Sequence, residues 1–250
     1  MELQPKMEHH TALVDGSRVS YTARGPVNAT HAYVGINGLM GGGDSFWPVI
    51  AGVPQDWRVV LPDLPGCGES EPMQPPRKHS VDGYVNWLSD FASEANLNDK
   101  KLVLASVTYN SGGLYPELLA GIDLATPEDL AGTPFYEEYT RIAPHPEDFP
   151  RLFARQQELD REQQNWPAEA IRAITAPALL IIGDSDIVRP EHTVELFRLL
   201  GGGVAGDLVG LPRSQLAVLP GTTHVTLVER ASWLVSMVNR FLDLPMPAAR

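Results

Sequence analysis

The chain has 250 residues, 43% of them apolar, 20% charged and 8% aromatic, which is enough to bury a full core and excludes a disordered polypeptide. Nineteen basic residues against 31 acidic ones give a formal charge of −12; this argues against nucleic-acid binding through phosphates and against docking on anionic membranes. No run of 18 apolar residues offers a membrane-spanning helix, and the single cysteine, Cys67, excludes an internal disulfide or a multi-cysteine metal site.

The opening MELQPKMEHH lacks the apolar core of a secretory signal. The expected setting is therefore a reducing cytoplasm and the expected partner a small molecule. No nucleic acid, membrane, metal or other cofactor is implied, and the oligomeric state is left open.

In chain order, residues 12–14 and 18–22 are β-prone runs around Asp15-Gly16, a strong hairpin signal. A short apolar run at 31–36 meets the glycine-rich segment 37–43. Asp44 or Ser45 then predicts a cap for a helix starting near Phe46. Residues 58–61 read as a strand closed by Pro62-Asp63-Leu64-Pro65-Gly66. Ser80 caps an expected helix over 81–95, with Tyr84, Trp87, Leu88 and Phe91 on one face.

Runs at 101–106 (KLVLAS), 178–182 (ALLII) and 215–219 (QLAVL) read as buried strands, with helices expected at 191–200 and 230–242. Apolar strands alternating with helices predict a doubly wound, mostly parallel sheet with an antiparallel hairpin at one edge. Residues 115–170 break the alternation, carry helical stretches at 135–142 and 147–163, and are expected to form a helical cap on a single α/β domain covering residues 1–250.

In such a sheet, ligands bind at the carboxyl ends of the strands. There the sequence places Gly183-Asp184-Ser185-Asp186 after one strand and Pro220-Gly221-Thr222-Thr223-His224 after the next. Asn37-Gly38-Leu39-Met40 follows the strand at 31–36. An acid, a histidine and a group of free amides match the division of labour in acyl transfer: proton movement, orientation of the imidazole, and reception of an oxyanion. Asp184, closer to the strand end, suits a turn better than the role of acid. Gly201-Gly202-Gly203 follows a helix and so has the wrong polarity for anion binding. Gly41-Gly42-Gly43 lacks the Lys and Ser/Thr of a phosphate loop.

The turn Leu61-Pro62-Asp63-Leu64-Pro65-Gly66-Cys67-Gly68-Glu69-Ser70, the two loops above and the order of elements resemble the α/β-hydrolase superfamily over nearly the whole chain. The resemblance is strongest over residues 132–244. It implies Asp186 as the acid, His224 as the base, and the segment Asn37, Gly38, Leu39 and Met40 as the oxyanion region, with the Leu39 amide as donor. It names no substrate.

Two features depart from the family pattern. Asn37-Gly38 stands where the family has His-Gly, and no Gly-x-Ser-x-Gly elbow occurs. One alignment puts Asn110 at the serine position; another puts Ser106 there without flanking glycines. Because Gly112, Gly113 and Pro116 interrupt any long helix after 106, the preferred reading makes 101–106 the strand that leads into the cap. On that reading one βα unit is missing, with its junction over 95–101.

The expected function is hydrolysis of an ester-like small-molecule bond through the Asp186–His224 dyad, with Ser106 or an activated water as nucleophile. The alternatives are an inactive or truncated ligand-binding relative, and a cofactor-free lyase or oxygenase that uses the histidine as base.

Overall fold

The computed structural model describes residues 6–36, 43–97, 111–161 and 165–243. The chain divides into two compact units, Met1–Leu104 with Gly121–Glu162, and Ala105–Ala120 with Gln163–Arg250.

In the first unit, β1 (Glu8–Val14) and β2 (Ser17–Arg24) form the expected antiparallel hairpin, closed by the pair Val14–Ser17. Asp15 and Gly16 both have positive φ, 49° and 78°, the twist that a two-residue hairpin turn needs and that glycine adopts without strain. β2 pairs antiparallel with β4 (Arg58–Pro62), and β4 pairs parallel with β3 (Ala32–Val34), giving the order β1-β2-β4-β3. All five residues of β4 are buried, as expected of a central strand covered on both faces.

The turn after β4 is tied by its own polar groups. The Asp63 carboxylate accepts the N–H of Gly43 at 3.0 Å and of Glu69 at 3.0 Å. Ser70 Oγ donates to the Asp63 carbonyl at 2.8 Å and accepts the Ser20 N–H at 2.9 Å. This much of the family-like turn therefore holds β2, β4 and the chain at Gly43 together.

The helix expected near Phe46 is shorter and differently started. A 3-10 turn occupies Gly43–Phe46, and α1 spans only Trp47–Ile50, with Phe46 as N-cap and no side-chain cap. Proline in its first turn is tolerated because the missing N–H would be unpaired there anyway. The buried Arg24 finishes its other end, donating to the carbonyls of Ile50 at 3.0 Å and Val53 at 2.9 Å.

α2 (Val81–Glu94) follows the sequence reading closely, and Ser80 Oγ accepts the Gly83 N–H at 3.2 Å. Its Trp87 and Phe91 rings stack at 5.3 Å, and Tyr21 of β2 meets Phe91 edge-on at 5.4 Å.

The segment expected as a cap contains more helix than the sequence suggested. α3 (Pro116–Leu124), α4 (Pro134–Ile142), α5 (Phe149–Arg161) and α6 (Ala168–Arg172) are all formed. In sequence Pro116 reads as a breaker, whereas in the structure it opens α3. Tyr139, Phe149, Leu152 and Phe153 belong to the same apolar cluster as Val14, Val60, Trp87 and Phe91. α4 and α5 thus share the core of the first unit.

In the second unit, β5 (Leu179–Gly183) pairs parallel with β6 (Gln215–Leu219) in register, from Leu179–Gln215 to Gly183–Leu219. α7 (Pro190–Leu199) lies between them in sequence, followed by the short α8 (Gly206–Val209), and α9 (Ala231–Asp243) follows β6. The expected strand at 101–106 and most of the 95–101 junction lie outside the described residues. No described helix is long and apolar enough to cross a membrane.

Candidate active site

Because β5 and β6 are parallel and in register, their carboxyl ends lie side by side and their loops must share space. The backbone of each loop bonds the other: Asp184 N–H donates to the Leu219 carbonyl at 3.0 Å and Ser185 N–H to the Thr222 carbonyl at 3.1 Å. Two aspartates two residues apart then diverge. Asp184 is exposed, and its carboxylate accepts the N–H groups of Gly221 at 3.0 Å and Thr222 at 3.2 Å. Those backbone bonds hold its carboxyl below the usual range.

Asp186 turns inward. Its side chain is only 1% exposed, against 32% for His224. Asp186 Oδ1 accepts the Val188 N–H at 3.0 Å and lies 3.0 Å from His224 Nδ1. Burial by itself raises this carboxyl, but the bonds from the His224 ring and Val188, the attraction of the ring's charge and a Gly183 N–H outweigh it. Asp186 is left below the ordinary aspartate range. An ionised carboxylate only accepts, so the shared proton is assigned to Nδ1. In the neutral imidazole Nε2 is then the lone-pair nitrogen, and among the described residues it makes no hydrogen bond. That is the tautomer a general base requires.

The histidine loop is braced by residues that the sequence did not single out. Arg230 Nη2 donates to the Gly221 carbonyl at 3.0 Å and its Nε to Thr222 Oγ1 at 3.3 Å, while the guanidinium lies 5.7 Å from the Trp233 ring centre. Thr222 is fully buried. On either side of the histidine, Thr223 and Thr226 exchange hydroxyl and N–H bonds at 2.9 and 3.2 Å. A threonine three residues from another is the sequence signal for this reciprocal pair; nothing in the sequence announces the role of Arg230. On the acid loop, Arg189 N–H donates to the Gly113 carbonyl at 2.8 Å, and Leu114 bridges Val188. The chain just beyond the expected strand 101–106 therefore lies against the acid loop.

Of the residues proposed from sequence, the structure brings Asp186 and His224 together. Ser106, Asn37, Gly38, Leu39 and Met40, and the alternative Asn110, lie outside the described residues. Cys67, in the first unit, is fully buried, and its thiol is pushed up to about 12 by burial and the Asp63 charge, against an opposing pull from Arg155. Such a thiol is inert as a nucleophile near neutral pH. Among the described residues, no group of three or more His, Cys, Asp or Glu could hold a metal ion.

The fold as a whole has counterparts among solved structures. A candidate lipase, Lip1, from Acinetobacter baumannii AYE superposes with a TM-score of 0.71 at 19% identity, covering 94% of this chain and 91% of that one. A bacterial membrane phospholipase A gives 0.70 at 18% identity, covering 95% and 86%. The carboxylesterase CesB from Bacillus subtilis gives 0.66 at 16% identity, covering 96% and 92%. The chain has the α/β-hydrolase fold. A family profile described as alpha/beta hydrolase fold also matches residues 34–106, the stretch that holds β4 and its Asp63 turn. No curated protein matches the sequence.

Proposed function

We propose that this α/β-hydrolase-fold chain hydrolyses an ester-like bond of a small molecule, with His224 as general base and Asp186 as the carboxylate that orients it. The observation that carries the proposal is the 3.0 Å contact between His224 Nδ1 and the buried Asp186 Oδ1. The Nε2 lone pair takes a proton from the nucleophile as that nucleophile attacks the carbonyl carbon. Asp186 stabilises the imidazolium that forms, and the same proton passes to the departing alkoxide when the C–O bond breaks.

The nucleophile is Ser106 or a water molecule. With Ser106 the alcohol leaves first, and a water then releases the acid from the acyl-enzyme. With water, acid and alcohol form in one passage. The Asn37–Met40 segment, with the Leu39 amide, supplies the oxyanion donors. The lipase, phospholipase and carboxylesterase named above support the choice of ester-like bonds by analogy of fold. A cytoplasmic setting and independence of cofactors belong to the same proposal.

The test is turnover of a panel of short-chain 4-nitrophenyl esters by the wild-type protein and by His224→Ala. Turnover that collapses in the variant supports the proposal; equal rates in the two proteins remove His224 from the chemistry. Tight binding of such esters without turnover by the wild type favours the ligand-binding reading instead.

A further inference from the structure

The loop that carries His224 is held by Asp184, a residue that touches neither His224 nor Asp186 through any bond described above. Its two carboxylate oxygens have separate duties: Oδ2 accepts from Gly221 N–H at 3.0 Å, and Oδ1 from Thr222 N–H at 3.2 Å and Ser185 Oγ at 3.3 Å. Arg230 grips the same two residues from the other side, through the Gly221 carbonyl and Thr222 Oγ1. Residues 221 and 222 are thus fixed by an anion on their N–H groups and a cation on their oxygens. The Thr223–Thr226 exchange fixes the chain immediately downstream. His224 is the residue between these restraints, and of the side chains that make them Asp184 is the one that reaches across from the acid loop, beside the backbone bond from Ser185 N–H to the Thr222 carbonyl.

We propose that Asp184 is a positioning residue for the proton-transfer pair: its carboxylate clamps the histidine loop to the acid loop and so sets the 3.0 Å separation of His224 Nδ1 and Asp186 Oδ1. The role requires a carboxylate in particular. Asparagine has one accepting oxygen and an NH2 group, so at least one of the two N–H donors would face another donor. The sequence places two aspartates in Gly183-Asp184-Ser185-Asp186 with opposite environments, one exposed on the clamp and one buried on the imidazole. The turn at Asp184-Ser185 between them lets the two side chains diverge.

The catalytic half of this inference rests on the proposed hydrolase reading; the geometric half does not, and the experiment separates them. In Asp184→Asn of the full chain, two quantities are read: the downfield proton resonance of His224 Nδ1–H, identified by its absence in His224→Ala, and the kinetics on 4-nitrophenyl butyrate. The expected result is a broadened or lost resonance, with kcat reduced on the order of tenfold to a hundredfold, the penalty for slight misplacement of a catalytic group. KM should stay within about twofold. A merely structural role would lower the melting temperature and leave both readouts in place. A folded D184N protein with unchanged resonance and kcat overturns the proposal. Should D184N fail to fold, Asp184→Ser is read in the same way. If the wild type turns over no ester, the hydrolase reading falls, and the resonance alone decides whether Asp184 positions the pair.

Discussion

Gly183 stands so close to Thr222 that a β-carbon built on it would lie 2.0 Å from the Thr222 carbonyl oxygen. That contact sits where the acid loop leaves β5 and the histidine loop leaves β6, and the oxygen concerned also accepts the Ser185 N–H. Any side chain at 183 pushes the two loops apart at the place where they must meet. Gly183→Ala is therefore expected to destabilise the protein by about 1–3 kcal/mol, as overpacking does, and to weaken the His224 Nδ1–H resonance. Chemical denaturation and the same proton spectrum check both halves.

The core of the first unit predicts a larger loss. Phe91 is completely buried, stacked on Trp87 and met edge-on by Tyr21, so it joins α2 to the hairpin. Phe91→Ala should cost about 3–5 kcal/mol through lost burial and the cavity left behind. Urea unfolding monitored by tryptophan fluorescence measures it, since Trp87 reports on the same contact.

His79 offers a prediction about pH. Burial, together with the positive charges of Arg155 and Arg151, lowers its pKa to about 4, and its Nδ1 lies 3.1 Å from the Tyr84 hydroxyl. A histidine lowered in the folded state takes up its proton more readily when unfolded. Its contribution is therefore complete above the ordinary imidazole range and fades as pH falls from about 6.5 towards 4. Stability should decline across that window, and His79→Phe should flatten the decline. Denaturation at a series of pH values decides it; an identical pH dependence in the variant would remove His79 as the cause.

Asp186 and Asp184 act in a lower window. Both carboxyls lie below the ordinary range in the folded state, so the stability they contribute is present above an unfolded value of about 3.9 and is lost as pH falls through their lower folded values. Acid unfolding of Asp186→Asn should accordingly be less steep below pH 4 than that of the wild type.

Local chemistry made much of this fold legible. Asp15-Gly16 announced its hairpin because only a few residue types tolerate two positive φ angles, and Ser80 announced α2 because its hydroxyl satisfies an orphan N–H. The apolar run 215–219 coincides with β6, and the acid and histidine loops could be read from their places after consecutive strands. Less visible were features that depend on tertiary context. Proline breaks a helix in mid-course but is tolerated in its first turn, so Pro116 alone does not reveal that α3 begins there. A 3-10 turn occupies Gly43–Phe46, where the sequence reading starts a helix. The bracing of the histidine loop by Arg230 joins residues eight and nine positions apart through geometry that no periodicity encodes.

The most direct test of the central claim, that His224 and Asp186 act as one unit, is a double-mutant cycle on ester hydrolysis. His224→Ala, Asp186→Asn and the double variant are compared by kcat/KM on 4-nitrophenyl butyrate. If Asp186 works only through the imidazole, D186N alone should cost on the order of ten-thousandfold, and adding it to H224A should cost almost nothing more. Losses that multiply in the double variant would mean that the two residues contribute independently, and would contradict the account.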